Sequence, residues 1–110
     1  MAKYLVLYRA SAGATEQMAN MSPEQAQAGM EMWMKWAGQA GDHLVDLGSP
    51  LASVATVGKA TSGGQAIGGF SILEADSVDD ATALLKDHPH FHTPGDTSIE
   101  VLEFLPVPGM

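Results

Sequence analysis

The segment "KYLVLYR" at 3–9 is apolar on both of its faces, and this restricts the fold more than any other feature of the chain. In an extended run, successive side chains point to opposite sides. Tyr4, Val6 and Tyr8 therefore share one side, and Leu5 and Leu7 share the other. A strand with one wetted face alternates apolar and polar residues, and this one does not. The last predicted strand, "SIEVLEFLPV" at 98–107, repeats the pattern, with Ile99 and Val101 on one side and Leu102 and Phe104 on the other. Both faces of the sheet that contains these strands must be covered.

The elements between them are readable from their ends. "ASAGATEQMAN" reads as a small-residue loop, and "MSPEQ" as a helix start with Ser22 as N-cap, Pro23 at the first helical position and Glu24 in the first turn. Ala26, Met30, Trp33, Ala37 and Ala40 then recur at helical spacing and predict one buried face, with Met32, Met34 and Trp36 off it, until Gly41 ends the helix. "HLVDLG" (43–48) is short and extended, "LASVATVGKA" (51–60) predicts the second main strand, and "TSGGQ" (61–65) a turn. "AIGGFSILEA" (66–75) is a third strand whose Gly68–Gly69 pair marks a bulge or a close backbone approach. "DSVDDATALLKDHP" (76–89) predicts a second helix, capped by Ser77, with Asp80 at the capping-box position and Lys86 in the last turn, stopped by Pro89.

This order, βαββαβ, predicts an α+β chain of ferredoxin-like topology: an antiparallel four-stranded sheet with two helices on one face, one domain over 1–110. Two helices cover one face only, and no element remains for the other. The simplest cover is the same sheet from a second copy, so a homodimer is expected. Only 16% of residues are charged, against ~25% in typical soluble domains, which fits surface hidden against a partner.

The formal net charge is -8, and the basic residues Lys3, Arg9, Lys35, Lys59 and Lys86 are scattered. That excludes nucleic acid and anionic membrane surfaces as natural partners. The absence of cysteine removes disulfides, thiol nucleophiles and Cys-ligated metal sites. "MAKYLVLYRA" reads as a strand rather than a signal peptide, and no apolar run approaches membrane-spanning length; a reducing cytoplasm is the expected location.

"KDHPHFHTPGD" (86–96) holds three of the four histidines. If this segment is extended, His88, His90 and His92 share a side, and neutral imidazoles ligate zinc, copper, nickel or iron. Their spacing matches no recognised zinc pattern, and neither a metal nor a cofactor is expected. Asp87 with His88 and His90 offers a second reading, an acid/base centre in which a carboxylate orients an imidazole titrating near its working pH. In a third, the histidines cap a helix C-terminus or bond backbone carbonyls. The candidate catalytic residues are thus Asp87, His88 and His90. The candidate ligand contacts are Tyr8, Arg9 and Trp33, with Arg9 placed to hold a carboxylate. Trp33, Trp36 and the methionines suit either an aromatic-ligand pocket or a core. "GKAT" at 58–61 lacks the residues of a phosphate loop, "GSP" at 48–50 lacks the flanks of a nucleophile elbow, and Asp42–His43 reads as a turn.

With "MAKYLVLYRA", "LVDLGSPL", "GGFSILEADSVDDATALLKDHPHF" and "SIEVLEFLPVPGM" in view, the chain resembles the YCII-related family, most specifically over 68–104. The resemblance implies a dimeric α+β barrel. A branch of that family carries an Asp-Gly-Pro-Phe motif before the third strand; here the region reads "TSGGQAIGGF". Some members set a histidine on the first helix opposite an aspartate after the second. Asp87 stands about where that aspartate lies, but the first helix has no histidine, so the dyad does not carry over. Related barrels include muconolactone isomerases, small cofactor-free monooxygenases and stress-induced proteins, and fold alone does not choose among them. The expectation is a small organic ligand bound between sheet and helices. It would undergo either cofactor-free proton transfer of the isomerase or lyase kind, or binding without turnover by a ligand- or metal-binding structural dimer.

Overall fold

β1 (Ala2–Ala10) runs through the middle of the sheet, and the computed structural model describes residues 1–59 and 65–109 around it. The chain continues through α1 (Ala14–Ala19), α2 (Pro23–Ala40), β2 (Leu44–Pro50), β3 (Ala66–Ala75), α3 (Val78–Ala83) and β4 (Thr97–Glu103). The four strands lie in the order β2-β3-β1-β4, every neighbouring pair antiparallel. This is the predicted ferredoxin-like α+β arrangement. The glycine pair also behaves as expected: β3 meets β1 at Tyr8–Gly69 and then Arg9–Ile67, so Gly68 is the extra residue of a bulge.

Several boundaries differ from the sequence expectation. The second strand is Leu44–Pro50, and Leu51–Lys59 is exposed and outside the sheet; the rest of the predicted strand and nearly all of the predicted "TSGGQ" turn lie outside the described residues. Leu44 and Leu47 pack against the core, whereas Val54 and Val57 touch nothing that would hold a strand. "ATEQMA" forms the short α1 rather than a loop. The second helix ends at Ala83, where its bonding tightens: Leu84 and Leu85 donate to carbonyls three residues back, Ala81 and Thr82. β4 ends at Glu103 rather than running to 107.

Ser22 caps α2 as predicted, in a reciprocal box with Gln25: Ser22 Oγ accepts the Gln25 N–H, and Gln25 Oε1 accepts the Ser22 N–H. The helix buries the C-terminal part of the predicted face, together with Trp36 from outside it. Trp36 and Ala40 are buried, Trp33 and Ala37 half-buried, while Ala26 and Met30 are exposed. Only its C-terminal half lies on the core of Val6, Tyr8, Trp36, Ala40, Leu73 and Leu85. Its N-terminal half stands over a cleft.

The reverse face of the sheet carries Leu5, Leu7, Phe70 and Ile72, half-buried, beside exposed Leu102. No described element of the chain covers it. Strand register places Leu102 opposite Leu5 on this face, and Val101 opposite Val6 on the helix face. The radius of gyration is 15.0 Å, against about 13 Å for a compact chain of this length.

Candidate functional site

Pro89 begins the turn that shapes the site. The segment Pro89–His92 is a 3-10 turn rather than an extended run, so its histidines diverge instead of sharing a side. The fixed proline φ suits the first position of such a turn. His88 caps it: Nδ1 accepts the His90 backbone N–H at 2.9 Å. His88 is fully buried, its ring 4.8 Å from Tyr8, 4.5 Å from Trp33 and 4.3 Å from Trp36. With Nδ1 accepting, the neutral ring carries its proton on Nε2. Among the described residues, that Nε2 is the one sealed side-chain nitrogen or oxygen without a hydrogen-bond partner. Burial, with the neighbouring His90 as the second cause, lowers the His88 pKa to about 3.

His90 turns the other way. Its Nε2 lies 2.8 Å from the carbonyl oxygen of Arg9, which only accepts, so Nε2 holds the proton and the neutral ring keeps a bare lone pair on Nδ1. Nδ1 has no partner among the described residues and is not sealed. His92 is exposed, and His43 bonds the Glu74 carbonyl oxygen through Nδ1 at 2.8 Å. Among the described residues no group of three or more His, Asp or Glu side chains is placed to hold a metal ion.

His90 lines a cleft of about 520 Å³ between the bulged end of the sheet and the α1–α2 pair. It is lined by Gly48, Gly68 and Gly69 from the sheet, by the aromatic Tyr8 and Trp33, and by Met18, Met21 and Met30. Three of the lining residues from the sheet thus carry no side chain. Gly48 cannot be replaced there: its φ is 83°, and a Cβ would overlap the Phe70 carbonyl. Tyr8 meets Trp33 edge-on at 4.9 Å and turns its hydroxyl inward, donating to Ser71 Oγ at 2.7 Å, while Ser71 donates to the Leu47 carbonyl at 2.6 Å. Burial pushes the Tyr8 phenol up to about 12, so it stays neutral at ordinary pH.

The structure thus brings Tyr8, Trp33 and His90 together, with His88 directly behind them. It separates the other two predicted residues. Arg9 points to the reverse face, where its guanidinium pairs with Glu100 at 2.9 Å and donates to the Gln65 carbonyl; only its own carbonyl serves the site. Asp87 is exposed, forms no ion pair or hydrogen bond with a histidine among the described residues, and borders a separate groove of about 210 Å³ beside Trp36 and Gln39. The sequence reading missed α1, whose Ala14, Gln17 and Met18 wall the cleft. The run of helix-forming Glu16, Gln17, Met18 and Ala19 after Gly13 was the available signal.

No family model matches the chain, and no curated protein matches it. Among solved structures, the chain is similar to 5-chloro-2-hydroxyhydroquinone dehydrochlorinase from Burkholderia phenoliruptrix in complex with 2,5-dihydroxybenzoquinone, at 18% identity and a TM-score of 0.47, covering 88% of this chain and 90% of that one. The fold itself is given by the strand order and pairing: a four-stranded, ferredoxin-like α+β sheet with helices on one face.

Proposed function

We propose that this protein is a homodimer that binds a small, mostly apolar organic molecule in the cleft of each subunit, with His90 as the polar contact. The observation that carries the reading is the cleft itself, lined by Tyr8, Trp33, methionines and His90, an imidazole whose Nδ1 has no partner among the described residues. A few polar groups in an apolar cleft of this size are the usual make-up of a small-molecule site. The apolar reverse face supports association through the sheet, and the YCII-like segments quoted above support a relationship to that family. The missing cysteines fit a reducing cytoplasm, and no described helix is long and apolar enough to cross a membrane.

A second reading, cofactor-free proton transfer, is favoured by the bare Nδ1 of His90, which can take a proton from a bound molecule. It has no oriented carboxylate behind it, because Asp87 lies elsewhere. Binding is therefore the primary reading.

Gly29 offers the test. It lines the cleft on α2, and a Cβ there meets no atom within 4 Å. Gly29→Leu should fill the space without strain. Fragment titration followed by NMR is expected to shift Tyr8, Trp33, Gly69 and His90 in the native chain and to leave them unmoved in the variant. Fragments that shift none of these residues in the native chain overturn the proposal.

A further inference from the structure

We infer that the cleft selects uncharged ligands carrying a hydrogen-bond donor and rejects carboxylates and phosphates; this rests on the binding reading above and adds the ligand class. Three observations carry it.

The first is the absence of cationic side chains. None of the five lysines and arginines lines the cleft. Arg9, the cation nearest in sequence, is committed to Glu100 and Gln65 on the reverse face. The chain as a whole carries a formal charge of -8. An anion entering this space would give up its hydration for no opposite charge.

The second is the α2 N-terminus, whose Ser22 and Pro23 border the cleft and whose dipole would otherwise attract an anion. Apart from the Glu24 N–H, its donors are already used. Pro23 has no N–H, the Gln25 N–H goes to Ser22 Oγ, and the Ala26 N–H goes to the Ser22 carbonyl. The Glu24 carboxylate already occupies the first turn.

The third is the polarity of the histidine in the lining, beside which the other polar side chains, Gln17, Ser22, Ser49 and Thr93, are uncharged. His90 Nε2–H is spent on the Arg9 carbonyl, so its neutral ring presents an acceptor and no donor. Tyr8 likewise spends its proton on Ser71. A ligand N–H or O–H finds a partner at Nδ1.

Calorimetric titration of the native protein with three probes of similar size tests this, with the Trp33 NMR signals locating the binding. Indole is neutral with a donor, benzofuran is its near-isostere without one, and indole-2-carboxylate keeps the donor and adds a charge. Indole is expected to bind about fivefold tighter than benzofuran, the worth of one ordinary hydrogen bond. The carboxylate should bind on the order of tenfold weaker than indole or not at all. His90→Phe should abolish the preference for indole while benzofuran still binds, which also reports an intact cleft. Equal binding of all three, or tightest binding of the carboxylate, overturns the ligand class and leaves the cleft reading standing. Failure of every probe to move Trp33 at millimolar concentration removes the cleft reading, and this inference with it.

Discussion

His88 Nδ1 accepts the backbone N–H of His90 across 2.9 Å, and so one histidine holds the turn that presents the other to the cleft. The bond exists only while Nδ1 is unprotonated. Because the ring is fully buried among Tyr8, Trp33 and Trp36, protonation both breaks the cap and places a charge in an aromatic core.

Stability should therefore fall on acidification. The unfolded histidine takes up a proton near 6.5, the folded one only near 3. Below about 6.5 the unfolded state binds the extra proton, and the folded state loses roughly 1.4 kcal/mol per pH unit until about pH 3. Above 6.5 the contribution is complete and flat. Urea unfolding between pH 7.5 and 4, compared with His88→Phe, checks this: the difference between the two proteins should shrink as pH falls. At pH 7.5 the variant should be about 1–3 kcal/mol less stable, from the unsatisfied His90 N–H. Parallel curves would show that His88 does not titrate in this way.

Tyr8, Ser71 and the Leu47 carbonyl form a hydrogen-bonded chain behind the cleft. Tyr8→Phe should cost about 0.5–1.5 kcal/mol, and Ser71→Ala more, because it leaves two buried groups without their partner. The double variant should cost less than the sum of the two. Additive losses in thermal or urea unfolding would mean the chain is not coupled.

Strand register separates two neighbouring residues that would otherwise look alike. Leu102 lies on the reverse face and Val101 faces the helices. The native protein should have a mass near twice 11.5 kDa by light scattering at micromolar concentration. Leu102→Lys should yield a folded monomer, whereas Val101→Lys should unfold the chain, with a cost of several kcal/mol for a charge placed against the core. A native mass of one chain removes the dimer.

Two glycines beside the cleft should respond oppositely to the same change. Gly29→Ala, in open space on a helix, should stabilise by roughly 0.5–1 kcal/mol. Gly48→Ala, with its φ of 83° and the Phe70 carbonyl in the way, should cost more than about 2 kcal/mol. Thermal unfolding of both variants decides it.

Where local signals and tertiary packing agreed, the sequence sufficed. The Ser22 cap, the Gly68 bulge and the two-faced β1 are local or periodic features, and each stands where expected. The second strand was misplaced because "LVDLGSP" contains Asp, Gly and Pro, poor strand formers that an edge position tolerates. "LASVATVGKA" has the better composition but packs on nothing. The site was half legible. The histidine run pointed to His88 and His90, but alternation assumes an extended chain, and Pro89 sets a turn instead. Arg9 was misjudged because strand alternation sends its side chain to the face away from the cleft. The methionine at 30 fell on the predicted apolar stripe of α2, and that stripe runs on past the core to overhang the cleft.

The irregular β2 has a consequence for how the molecule meets its neighbours. Exposed sheet margins invite further strands and, in the extreme, fibrils. Here one margin is broken by two register slips, the left-handed Gly48 and Pro50, which has no N–H to offer. The other, β4, carries Glu100 and Glu103. Lateral growth of the sheet is thus discouraged on both sides, and the proposed dimer, meeting face to face through the reverse side, would close after a single partner rather than propagate.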